Sequence, residues 1–157
     1  LRKCLQIIFL TIFLSTFLYS LELSGKVVSV MDGDTIKILT KDKIKYTIRL
    51  ANIDAPEKNQ AFGYKSKENL ENYIVNKNVQ VKYEHYDIYK RVLGTVYYRG
   101  KNINLAQVRD GFAWVYKKPK NKRYKKEEIK AREEKKGLWI EDNPINPTKF
   151  RKLQKQK

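Results

Sequence analysis

Two acidic clusters and two arginines are the groups in this chain best suited to chemistry. Asp32-Gly33-Asp34 places two carboxylates in one tight turn, and Asp54 and Glu57 share a loop punctuated by Pro56. If the strands between them pair as a meander, turn and loop meet at one end of the sheet. Two or three carboxylates, with a main-chain carbonyl and waters, suit a hard cation such as Ca²⁺. Arg49 stands on the face of its strand opposite the apolar residues, and Arg91 opens a later strand. Guanidinium groups bind phosphate bidentately and balance charge on a phosphoryl transition state. Each feature also has a plainer reading. Asp-Gly-Asp is ordinary turn composition, Asp-Ala-Pro-Glu an ordinary helix or turn start, and an isolated arginine a solvated surface residue.

The rest of the composition narrows the chemistry by elimination. The only histidine is His85 and the only cysteine Cys4, which rules out an intrachain disulfide, Cys/His zinc sites and paired-histidine acid–base catalysis. Lys and Arg number 34 against 17 Asp and Glu, a net charge of +17, so polyanionic partners are expected. With 41% hydrophobic residues and 11 Tyr, 6 Phe and 2 Trp, the chain has the material for a core, unlike a disordered basic tail. Its 157 residues suit one domain with an added segment.

That added segment is residues 1–21. Arg2 and Lys3 precede a run from Cys4 to Leu21 without a charge, rich in Leu, Ile and Phe, with Ser20 the small residue near its end. This is the layout of an export signal, or of a membrane anchor if it is not cleaved. The basic excess lies beyond it.

The elements that must position the candidate groups follow from periodicity. Ser24–Met31, Thr35–Leu39 and Ile44–Leu50 alternate as three strands, joined by the Asp32–Asp34 turn, where Gly33 is able to take a positive φ, and by a hairpin tip at Lys41-Asp42. Gly63–Asn76 has helical spacing at Leu70, Tyr73 and Ile74. Asn78–His85 and Arg91–Tyr98 read as two more strands, the second closed by a hairpin at Arg99-Gly100. A short helix near Ile103–Asp110 stops at Gly111. Tyr124–Lys136 is a charged helix with a Glu128–Arg132 pair and Gly137 as its stop. Glu141–Lys157 is expected to be a polar, basic tail, mobile at its end. Three meander strands, a helix and a returning pair predict an α+β fold: a five-stranded oligonucleotide-binding (OB) barrel with three helices.

Taken in order, Val28–Thr35 (VSVMDGDT), Ile48–Glu57 (IRLANIDAPE) and Tyr89–Gly94 (YKRVLG) resemble the thermonuclease family of staphylococcal-nuclease-like domains. Asn104–Tyr116 is similar to that family's second helix and following segment, and Ala131–Trp139 to its third helix and close. The resemblance runs over about residues 25–140, within a domain placed at 22–140 and followed by the 141–157 tail. It implies a three-helix OB barrel that hydrolyses phosphodiesters of DNA and RNA with Ca²⁺ and leaves 3′-phosphates. By motif, it implies that Asp34, Asp54 and the main-chain carbonyl of Ala55 bind the metal. Glu57 would be the general base or would position the attacking water, and Arg49 and Arg91 would hold the phosphate. Asp32 would shape the turn, and Tyr89 and Tyr116 would contact the nucleotide. No obligate protein partner is implied, so a monomer is expected, exported or tethered by residues 4–21. His85 has no part in this and is expected on a strand surface. Two competing readings are a non-catalytic nucleic-acid-binding OB module and an anchored binder of cell-surface polyanions. Neither uses three carboxylates that would repel phosphate without a metal.

Overall fold

The computed structural model describes residues 21–116 and 121–156. The apolar N-terminal segment up to residue 20 lies outside the described residues. Among the described residues, no helix is long and apolar enough to cross a membrane.

The chain runs β1 (Leu21–Asp32), β2 (Thr35–Leu39), β3 (Lys45–Leu50), β4 (Ile53–Asp54), α1 (Gly63–Ile74), β5 (Asn78–Tyr86), β6 (Val92–Tyr98), β7 (Lys101–Asn102), α2 (Ile103–Arg109), β8 (Trp114–Val115), α3 (Arg123–Glu133) and α4 (Pro147–Gln154), with a 3₁₀ turn at Gly137–Ile140. The main sheet has the order β3-β2-β1-β5-β6-β7, and β3 also pairs with β6. That last pairing is parallel (Ile48 with Val92, Leu50 with Gly94) and closes five strands into the expected barrel. Long β1 serves two partners, β2 through its second half and β5 through its first.

Alternation decides what fills the barrel. Val27, Val30, Ile36, Ile38, Ile48, Leu50, Val79, Val81, Val92 and Val96 point inward and are buried, joined by Leu70 and Ile74 of α1 and Ile103 and Val108 of α2. A smaller cluster of Trp114, Ala131, Leu138 and Trp139 lies beneath α3. There the two indoles meet edge-on at 5.1 Å, and the guanidinium of Arg132 lies 3.6 Å from the Trp139 ring centroid.

Three local expectations are revised. Gly33 is not in the left-handed region; a β-carbon there would come within 1.9 Å of Ser66 Oγ, so the position needs a small residue for close approach. At the end of α3, Lys135 takes the left-handed conformation (φ 50°) two residues before Gly137 does (φ 52°), so the helix stops earlier than Lys136. The tail is not featureless. Pro147–Gln154 forms a fourth helix beyond the expected three, begun by Asn146, whose side chain accepts from the Thr148 N–H (2.9 Å), and by Pro147 in the first turn. Pro147 is this helix's only buried residue.

Candidate active site

The first cluster is built by a turn fixed from both sides. Asp32 Oδ1 accepts the Asp34 N–H at 3.0 Å, which sets the turn between β1 and β2. Gln107 of α2, fully buried, donates through Nε2 to the Gly33 carbonyl (2.7 Å) and the Ser66 carbonyl (3.0 Å), tying the turn to α1 and α2. The second cluster sits on β4, where Asp54 pairs with Trp114 of β8. Asn104, also fully buried, donates to the carbonyls of Ala51 and Gly94 at 3.0 Å each and accepts the Val96 N–H, fastening the end of β3 to β6. Meander pairing therefore does bring turn and loop to one barrel end.

There Asp34 and Asp54 are 5% and 2% exposed. The guanidinium of Arg49, projecting from β3, joins them: Nη2 lies 2.9 Å from Asp34 Oδ2 and 3.2 Å from Asp54 Oδ1. Asp34 also accepts the Thr35 hydroxyl (3.0 Å) and the Ala55 N–H (2.7 Å). Burial pushes the Asp34 carboxyl up to about 7, with Asp32 adding to the rise, although Arg49 and the Ala55 N–H oppose it. Among the described residues, no three acidic, histidine or cysteine side chains gather into a metal-holding group, so any cation here needs main-chain oxygen and water besides the aspartates.

Arg151 of α4 completes the cluster, and nothing in the sequence reading assigned it a part. Its Nη1 donates to Glu57 Oε1 (2.6 Å) and Asp54 Oδ1 (3.2 Å), and its Nη2 to Asp54 Oδ2 (2.9 Å). Thr148 Oγ1 also donates to Asp54 Oδ2 at 3.3 Å. The Asp54 contact, then Glu57, hold the Arg151 guanidinium proton well above its ordinary range despite partial burial. A local signal existed only in part: Asn146-Pro147 marks a helix start, but nothing local says where the helix docks.

These groups line one cleft of about 1200 Å³, which also takes in Arg91, Tyr89 and Tyr116. Arg91 is engaged by Asp87 (Nε to Oδ2, 2.7 Å) and lies 5.3 Å from the Tyr89 ring centroid. Burial would raise the Asp87 carboxyl, but the N–H groups of Arg91 and Tyr89 and the Arg91 side chain outweigh it and hold it low. Tyr89 is 72% exposed at the cleft rim. Asp34, Arg49 and Asp54 are therefore in mutual contact, and Glu57 joins them through Arg151. Arg91, Tyr89 and Tyr116 form other parts of the wall. His85 is exposed on β5, as expected.

A family model described as staphylococcal nuclease homologue matches residues 47–141. The chain belongs to this family. It is 44% identical over 131 residues to an uncharacterized endonuclease of Haemophilus influenzae, covering 83% of this chain and 74% of that protein. An uncharacterized endonuclease of Escherichia coli is 40% identical over 133 residues, with 80% and 83% covered. A micrococcal nuclease of Shigella flexneri is 38% identical over 146 residues, with 85% and 83% covered. The barrel, the family match and these relatives make the protein a hydrolytic nuclease, with nucleic acid as its substrate.

Proposed function

We propose that this nuclease is a Ca²⁺-dependent phosphodiesterase that cleaves DNA and RNA to 3′-phosphate products. The observation that carries this reading is the joining of two buried aspartates by Arg49 within a cleft that also holds Glu57 and Arg91. The donor set fits a hard divalent cation: the available ligands are carboxylate and carbonyl oxygens, with two of the carboxylates buried side by side. Asp34, Asp54 and the Ala55 carbonyl would hold the cation, whose chemistry when bound is to polarise a phosphoryl oxygen and lower the cost of forming hydroxide.

The chain's own residues supply the remaining work. Glu57 accepts the proton of the attacking water. Arg49 and Arg91 donate to the non-bridging phosphate oxygens as charge builds on them, Arg91 being oriented by Asp87. Asp32 keeps the Asp34 turn in shape, and Tyr89 and Tyr116 receive the sugar and base beside the scissile phosphate. The net positive charge raises the local concentration of polyanion. All of these groups come from one chain, which supports action as a monomer. The apolar run ending near residue 21 supports export, with tethering if it is retained.

The test is direct. The protein is incubated with DNA and with RNA, in Ca²⁺ and in a Ca²⁺ chelator, and product ends are analysed. Cleavage of both polymers with Ca²⁺ alone, yielding 3′-phosphates, is expected. Full activity in chelator overturns the reading.

A further inference from the structure

Arg151 makes demands on the site that the proposed chemistry does not share. Both oxygens of Asp54 accept hydrogen bonds from its guanidinium, and Glu57 Oε1 accepts the shortest of the set. A cation bound at Asp54 needs those same oxygens and would face a guanidinium charge at contact distance. Asp54 is saturated, each of its oxygens accepting twice: Oδ1 from Arg49 and Arg151, Oδ2 from Arg151 and Thr148. Arg151 in this position and a cation on Asp54 therefore exclude each other.

The element that carries Arg151 is suited to leave. Pro147 is the only residue of α4 that is buried, so the helix contributes little to the core. Lys149, Arg151 and Lys152 make it basic, with no acidic residue among its eight; its contacts with the cleft carboxylates are charged, while Phe150 is half-buried beside Phe62, Trp114 and Leu138. The turn before it is fastened separately, by Gln60 Nε2 on the Ile145 carbonyl, which gives the helix a fixed base to pivot on. The Arg151 side chain is 42% exposed and need cross no packed layer to move out.

We propose that Arg151 is an internal cation of the active site, neutralising Asp54 and Glu57 until a divalent cation displaces it, and that α4 undocks when this happens. The inference rests on the Ca²⁺-dependent reading above. Arg151 acts through the two carboxylates; it is a positioning residue that holds them together, charge-compensated, in the resting enzyme.

Ca²⁺ binding is measured by titration calorimetry on the full chain and on Arg151→Ala, Arg151→Lys and Lys152→Ala. Lys152→Ala removes the same charge from the same helix without touching the cleft carboxylates. Freed from its competitor, Arg151→Ala is expected to bind Ca²⁺ about tenfold more tightly or better, since a ligand's apparent affinity falls by the fraction of molecules able to take it. Arg151→Lys, which cannot fork across two carboxylates, falls between, and Lys152→Ala stays within about twofold of the parent. Limited trypsin digestion supplies the second readout. In the parent chain Ca²⁺ should speed cutting at Lys149, Arg151 and Lys152, whereas Arg151→Ala should be cut at the two lysines equally fast with and without it. Unchanged or weaker Ca²⁺ binding in Arg151→Ala, an equal gain in Lys152→Ala, or Ca²⁺-independent cutting of the parent overturns the inference alone, provided the parent still needs Ca²⁺ to cleave. A parent that neither binds nor needs Ca²⁺ overturns this inference and the proposed function together.

Discussion

Arg49 is forked: Nη2 donates to Asp54 Oδ1 and ion-pairs with Asp34 Oδ2, while Nη1 donates to the Leu50 carbonyl, an arrangement that the single nitrogen of a lysine does not copy. In a chain with 34 basic residues, losing one surface lysine changes the long-range field little, and what it does change fades as salt is added. Arg49→Lys and Arg91→Lys keep the charge but lose the paired donors, so turnover should fall by roughly 10²-fold or more, the scale of a lost transition-state donor. Lys126→Ala on exposed α3, assayed at the same ionic strength, is the control; arginine variants that behave like it are surface charge. Glu57 invites a different substitution. Glu57→Gln keeps shape and removes the basic oxygen, so kcat should drop by about 10²–10⁴ while KM stays close to the parent value. An unaltered kcat removes Glu57 from the reaction.

At the scale of the elements, the site depends on buried amides that hold its turns. Gln107 satisfies two carbonyls from different elements, Gly33 and Ser66. Gln107→Leu has nearly the same bulk but removes the donor to the Gly33 carbonyl, the second bond to the Ser66 carbonyl and the acceptor of the Asn69 amide, and should cost about 1–3 kcal/mol for a buried group left without its partner. A lowered melting midpoint, together with a loss of turnover larger than the unfolded fraction explains, is the expected result. The same elements show what could be read beforehand. The strands, α1 and the Asp34, Arg49 and Asp54 triad were legible because alternation fixes which face of β2 and β3 turns inward, and meander pairing fixes where their ends meet. Two kinds of information were not. The need for Gly33 is a contact with Ser66, 33 residues away in sequence, and no local φ preference encodes it. Arg151 reaches Asp54 across 97 residues, and a basic tail carries no pattern showing which of its charges will find a carboxylate.

Taken whole, the molecule buries an acid whose charge it only partly offsets, and this makes its stability depend on pH. Asp34 ordinarily titrates near 3.8 and is held at about 7 by burial. Between those values the folded chain keeps a proton that the unfolded chain has released. Its contribution to stability is therefore present at low pH and lost as pH rises through about 7. Asp87, held low, acts in the opposite sense and only in more acidic solution. Melting midpoints of the parent measured against Asp34→Asn from pH 4.5 to 8 should show the parent losing ground as pH rises to about 7 and levelling beyond it. Parallel curves would show that Asp34 is not held up by the fold.

The pairing of Trp114 with Trp139 has an optical consequence. These are the chain's two tryptophans, and they stand against each other in the smaller cluster under α3, beside the Arg132 guanidinium, while tyrosines such as Tyr46, Tyr73, Tyr83 and Tyr98 pack on the barrel core. Indole emission, excited where tyrosine does not absorb, is a native probe of the α3 region alone, and tyrosine absorbance reports on the barrel. Because β8 carries Trp114 and pairs with the strand that bears Asp54, the indole signal comes from the structural support of that buried carboxylate. Two unlabelled signals from one sample can therefore tell whether that support loosens before the barrel opens or together with it.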